Sequence, residues 1–181
     1  MSLLKDAFIY CARFPLHAGV MKTFNRTDSA FTTYTAFKAE VNALAVKSLI
    51  PTIEDYICGI DEETVRRKIS EVTGKYLFLD YGALFVENDQ VNRRTTNFQL
   101  AITIAKPIDP ENADLAEEVL LADELLADMQ TVRDRMLADQ RDVPWLKHLT
   151  FPHEITPVFI RELKNSVGWT MMFRLSGVGI L

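Results

Sequence analysis

The chain has 181 residues, a length that suits one domain with a sizeable buried core and needs no disulfide or metal staple. Apolar residues make up 48% and charged residues 25%, which places it among globular proteins, and no run approaches the roughly 20 apolar residues of a membrane span. The net charge of −5 argues against a general nucleic-acid binder.

The first residues are interrupted by Lys5, Asp6 and Arg13 where a secretion signal would carry an unbroken apolar run, so residence in a cytoplasm is expected. Cys11 and Cys58 form neither a CxxC pair nor a disulfide framework, as expected of small core residues in a reducing compartment. Residues 1–35 include "NRTDSAFTTYT", rich in Thr, Ser and Asp and without a long period. They are read as an N-terminal arm or irregular lead-in, and residues 36–181 as a single α+β domain.

A helical pattern starts near Ala36, with Phe37, Val41 and Leu44 on one stripe. Pro51 should end or kink it near Leu49, after which a short segment runs to Gly59. Asp61 is the expected N-cap of "EETVRRKISEVTG", whose Val65, Ile69 and Val72 form a buried stripe closed by Gly74. A strand, "KYLFLDYGALFVEND", follows, and Gly82 within it predicts a bulge or bend. The next strand alternates strictly at Phe98, Leu100, Ile102 and Ile104, and the two are expected to pair as an antiparallel hairpin.

"KPIDPEN" leads into a long helix, with Asp109 as expected cap and Pro110 at the first helical position. Leu115, Val119, Ala122, Leu126, Met129, Val132 and Met136 are the expected buried stripe of a helix over 111–139. On that reading Leu126→Ala costs about 2–5 kcal/mol. Asp114, Glu117, Glu118, Asp123, Glu124 and Asp128 make the rest of the surface acidic. A loop with one helical turn follows, then two strands, "EITPVFIREL" and "GWTMMFRLSG". Pro157 marks the first as an edge or bulged strand, and Trp169, Met171, Phe173 and Leu175 line one face of the second. The expected fold is α+β: an antiparallel sheet of about four strands (β-β-α-β-β) with helices packed on one face and an N-terminal helical part.

Little in this chain resembles catalytic equipment. There is no phosphate-binding GxxxxGK[ST] or GxGxxG loop and no GxSxG elbow. His148, His153 and Glu154 sit close together, but the spacing is not HExxH and no further ligand is marked, so no metal or cofactor is expected. The basic runs Arg66–Lys68 and Asn92–Arg94 are short, and in an acidic chain nucleic-acid contact is not expected.

The strand "NFQLAITIAKP", the acidic helix "ENADLAEEVLLADELLADMQTVRDRM" and the closing hairpin "EITPVFIRELKNSVGWTMMFRLSG" together resemble bacteriophage tail terminator and tail completion proteins in the order of their elements. The likeness spans residues 36–177. It implies a non-enzymatic protein of a phage or prophage tail that forms a homo-oligomer, commonly a hexameric ring, and meets tail-tube or head-completion proteins. By position, Arg93 and Arg94 at a loop tip and Asp114, Glu117, Glu118, Glu124 and Asp128 on the helix are the candidate ring contacts. Two other readings stay open: a small α+β enzyme or ligand-binding protein with a pocket near His148, His153 and Glu154, and a bacterial adaptor module.

Overall fold

The computed structural model describes residues 2–27, 29–44, 48–59, 65, 68, 69, 71–88, 94–109, 114–160 and 165–177. Three helices come first: α1 (Leu3–Cys11), α2 (His17–Met21) and α3 (Tyr34–Ala43). Strand β1 (Ile53–Gly59) follows, then β2 (Lys75–Asn88) and β3 (Arg94–Pro107). The long helix α4 (Leu115–Asp139), a 3-10 turn (Pro144–His148) and strands β4 (Leu149–Ile160) and β5 (Ser166–Gly177) complete the chain.

The α+β class holds, but the sheet is neither four-stranded nor wholly antiparallel. Among the described residues it has five strands in the order β1-β2-β3-β5-β4. β1 runs parallel to β2, and the other pairs are antiparallel. The extra strand is the segment between Pro51 and Gly59, where no alternation marks a strand. Its backbone slips register around Glu54, so Ile53 and Tyr56 face one core while Ile57 faces another.

That second core is also new. Leu77 and Leu79 of β2, with Leu100, Ile102 and Ile104 of β3, point toward α1 and α4. Tyr76 and Phe78 point the other way, onto Val65, Ile69 and Val72 of the crossover between β1 and β2. A parallel pair requires such a crossover, and it covers the face that an antiparallel sheet would leave wet. The described residues Val65, Lys68 and Ile69 are helical, in keeping with the predicted stripe. The predicted cap Asp61, with Glu62 and Glu63, lies outside the described residues, as do Arg66 and Arg67.

Two local expectations hold. Gly82 and Ala83 together face Gln99 across the β2–β3 ladder, a bulge where a Cβ on Gly82 would come within 2.6 Å of the Gln99 carbonyl oxygen. Pro157 lies on the edge strand β4, which slips register again between Thr150 and Glu154. Residues 1–35, read as an arm or lead-in, contain α1 and α2. Their Ala7, Phe8, Cys11, Phe14 and Val20 are buried in the same core as the sheet. Phe8 meets Phe24, Phe37 and Tyr56 edge-on at 4.9–5.9 Å between ring centres, which locks the three elements together.

Helix α4 has 25 residues, roughly 38 Å of rise, and crosses β3 and β5. Its cap is Asp114, whose carboxylate accepts from the Ala116 amide, rather than Asp109. The buried stripe is Leu125, Met129, Val132 and Met136. Leu126 is only half-buried, and Leu115 and Val119 are exposed. The apolar pair at 125 and 126 allows two helical stripes one position apart, and packing on the sheet selects the one through Leu125.

The β3–β5 ladder is close-packed at Gly168, opposite Ala105. A Cβ there would meet the Ile104 carbonyl oxygen at 2.2 Å and the Ala105 Cβ at 2.5 Å. Gly168→Ala is expected to destabilise by about 1–3 kcal/mol, because backbone atoms rather than flexible side chains must yield. Denaturant unfolding checks this; an unchanged midpoint would contradict the packing.

Candidate functional site

The acidic residues of α4 divide by what they touch. Glu124 and Asp128, one turn apart, both accept from the ammonium of Lys75 at 2.7 Å. Lys75 opens β2 and is 7% exposed. Burial alone would lower its pKa, but the hydrogen bonds and charges of Asp128 and Glu124 outweigh this and raise it. These two candidate ring contacts therefore clamp α4 to the sheet. Asp114 is the helix cap, and Glu117 and Glu118 follow in the first turn, where the helix dipole favours them. Together with Lys106 and Asp109 they line a cleft of about 450 Å³ between the end of β3 and the start of α4. Of the predicted basic tip, Arg93 lies outside the described residues, and Arg94 is described only as the first backbone position of β3.

His148 ends the 3-10 turn, and His153 and Glu154 fall at the irregular part of β4. Burial, and then the charge of Arg133, lowers the His153 pKa, so the ring is neutral at pH 7. Among the described residues no three His, Cys, Asp or Glu side chains are placed to hold a metal ion. The Cys58 thiol donates to the Tyr81 hydroxyl, and burial pushes its pKa up to about 12, so it is a protonated thiol at neutral pH.

What stands out on the surface is apolar. At the far end of β2, past the bulge, Leu84, Phe85 and Val86 are 44%, 48% and 59% exposed. On the first two turns of α4, Leu115, Val119 and Leu120 are 80%, 68% and 70% exposed. The two groups occupy opposite ends of the domain. The α4 patch lies N-terminal to the Lys75 clamp at the start of β2, whereas Leu84–Val86 lie nine to eleven residues further along that strand, roughly 30 Å away. The first group was hidden in the sequence by its place in a good strand pattern. In the second, Leu115 and Val119 were assigned to the core because their spacing is helical; Leu120 falls outside that stripe.

A second cleft, of about 460 Å³, is lined by residues of β1 with Lys22, Asn25, Lys68 and Glu71. Lys22 is ion-paired with Asp55 at 2.6 Å. No described helix is long and apolar enough to cross a membrane. Comparison with protein-family models, with curated proteins and with solved structures finds no match to this chain.

Proposed function

We propose that this chain is a structural assembly protein of a phage or prophage tail, similar to tail terminator and completion proteins, that associates head to tail into a closed ring and meets a tail-tube or head-completion partner. The observation that carries the reading is the pair of exposed apolar groups at opposite ends of one domain. A head-to-tail contact needs two different surfaces on each subunit, and repetition of one rotation closes the ring. Groups of exposed large apolar side chains such as these are candidate interaction surfaces.

Full burial of a Leu, Val or Phe contributes about 1.5–3 kcal/mol, and these side chains are about half to four-fifths exposed before contact. Six of them offset much of the 4–15 kcal/mol that association costs, so a single contact is weak and ring closure or a tube end completes it. Asp114, Glu117 and Glu118, beside the α4 patch, set register rather than affinity.

Sedimentation at rising concentration, with and without tail-tube ends, tests the reading through two variants. Phe85→Glu and Leu120→Glu each spoil a different end. Each alone is expected to be monomeric, and an equal mixture of the two to form dimers only at the highest concentrations and nothing larger, because one weak contact survives. Wild-type protein that stays monomeric in all conditions, or single variants that still form rings, would overturn the proposal.

A further inference from the structure

We propose that the tip of the β2–β3 hairpin of one copy seats in the cleft between β3 and α4 of the next, with Phe85 as the side chain that enters. The inference rests on the assembly reading and names the contact that joins the copies.

Among the described residues, β1 pairs with β2 only as far as Asp80, whereas β2 runs on to Asn88 with β3 along its other edge. Residues 82–86 are exposed in succession. Successive side chains of a strand point to opposite faces, so exposure of consecutive residues means that neither face is covered. The hairpin end therefore projects from the domain. Leu84 lies opposite Phe98, on the face that carries the main core. Phe85 points the other way, in a rung with Asn97 and Ser176. That rung holds no other apolar side chain, so Phe85 has nothing in it to pack against.

The cleft has the opposite shape. Pro107, Ile108, Leu120 and Leu121 give it apolar lining, and each is exposed or partly buried rather than closed into a core. Its volume of about 450 Å³ is at the small end of the roughly 300–1,000 Å³ of ligand pockets, which suits one or two side chains. An aromatic ring buries about 150–250 Å² when enclosed, and aromatic residues are enriched at interfaces. Within one copy the tip and the cleft cannot meet, because they are roughly 30 Å apart along β2.

Charge favours this occupant. Asp109, Asp114, Glu117, Glu118 and Glu124 line the cleft with Lys106, and Glu124 is already paired with Lys75. Residues 110–113, between β3 and α4, add by sequence one further ionisable group, Glu111, of the same sign. A chain of net charge −5 meets such a lining with least repulsion through a part of itself that is not acidic. Residues 81–86 carry no charge, and within residues 87–95 Glu87 and Asp89 are balanced by Arg93 and Arg94.

Disulfide trapping on the full chain tests the contact. Val86, beside the entering ring, and Glu117, on the cleft, are both exposed, so a cysteine at either leaves the core intact. With Val86→Cys and Glu117→Cys in one chain, oxidation by air and copper–phenanthroline is expected to give a ladder of covalent oligomers, since each copy offers one thiol at each end. Either substitution alone is expected to give none. Adding Phe85→Ala to the double variant is expected to lower the yield about tenfold or more. Rings that form without cross-linking of the double variant would overturn this contact and leave the assembly reading standing, whereas a wild-type chain that stays monomeric would overturn both. Dimers from either substitution alone would mean that like ends meet, and a ladder unchanged by Phe85→Ala would mean that Phe85 does not enter; each overturns the proposal.

Discussion

Leu125→Ala is expected to cost about 2–5 kcal/mol of stability, whereas Leu126→Ala, one residue on, costs less than about 1.5 kcal/mol. Leu125 is fully buried between α4 and the sheet, and its truncation leaves a cavity that close-packed neighbours fill only in part. Leu126 points about 100° away around the helix and is only partly buried. Neighbours on the same stripe, Met129 and Val132, are also fully buried, so the surroundings of Leu125 are anchored on its C-terminal side along α4. Equilibrium unfolding in urea measures both costs. Equal losses, or a larger loss at Leu126, would mean that α4 lies on the sheet by a different face.

Asp139→Asn is expected to cost about 2–4 kcal/mol near neutral pH, with a loss that fades in acid. One carboxylate oxygen of Asp139 accepts from Arg135 at 2.8 Å, Tyr10 at 3.1 Å and Arg13 at 3.2 Å. The group joins the end of α4 to α1, and its side chain is 13% exposed. Breaking a buried charge pair typically costs about 3–5 kcal/mol. The lower range allows for the partial exposure of both arginines, which can rehydrate.

Burial alone would raise the Asp139 pKa. The hydrogen bonds from Arg135 and Tyr10, with the arginine charges, outweigh it and hold the carboxyl below the usual carboxylate range. A folded-state pKa below the unfolded value of about 3.9 stabilises the protein above that pH and ceases to do so as pH falls through the folded value. The gap between wild type and Asp139→Asn is therefore constant from about pH 5 to 8 and narrows below about pH 4. Denaturant melts across this range test it, and a gap that stays unchanged into strong acid would show that the ionised carboxylate is not what stabilises the junction. Tyr10 responds to the same contact. Burial and the nearby carboxylate push its hydroxyl well above the ordinary tyrosine value, so it stays a donor throughout.

The sequence by itself determined the elements whose period is long and undisturbed. Alternation at Phe98–Ile104 and at Met171–Leu175 specified β3 and β5, and a sustained helical period specified α4. Gly82 and Pro157 marked the bulge and the edge strand because each changes what the backbone can do locally. Tertiary structure decided the rest. β1 has residues directed into two different cores, so no period reveals it, and its parallel partner lies beyond a crossover that local pattern cannot orient. The choice between Leu125 and Leu126 depends on which stripe meets the sheet, since both are leucines in a good helix. Glu124 and Asp128 resemble a solvated face until Lys75, about fifty residues away in the chain, is brought beneath them. Leu115 and Val119 have core spacing but no described element covers them, because burial is set by where a neighbouring element ends, and a helix's own sequence carries no record of that.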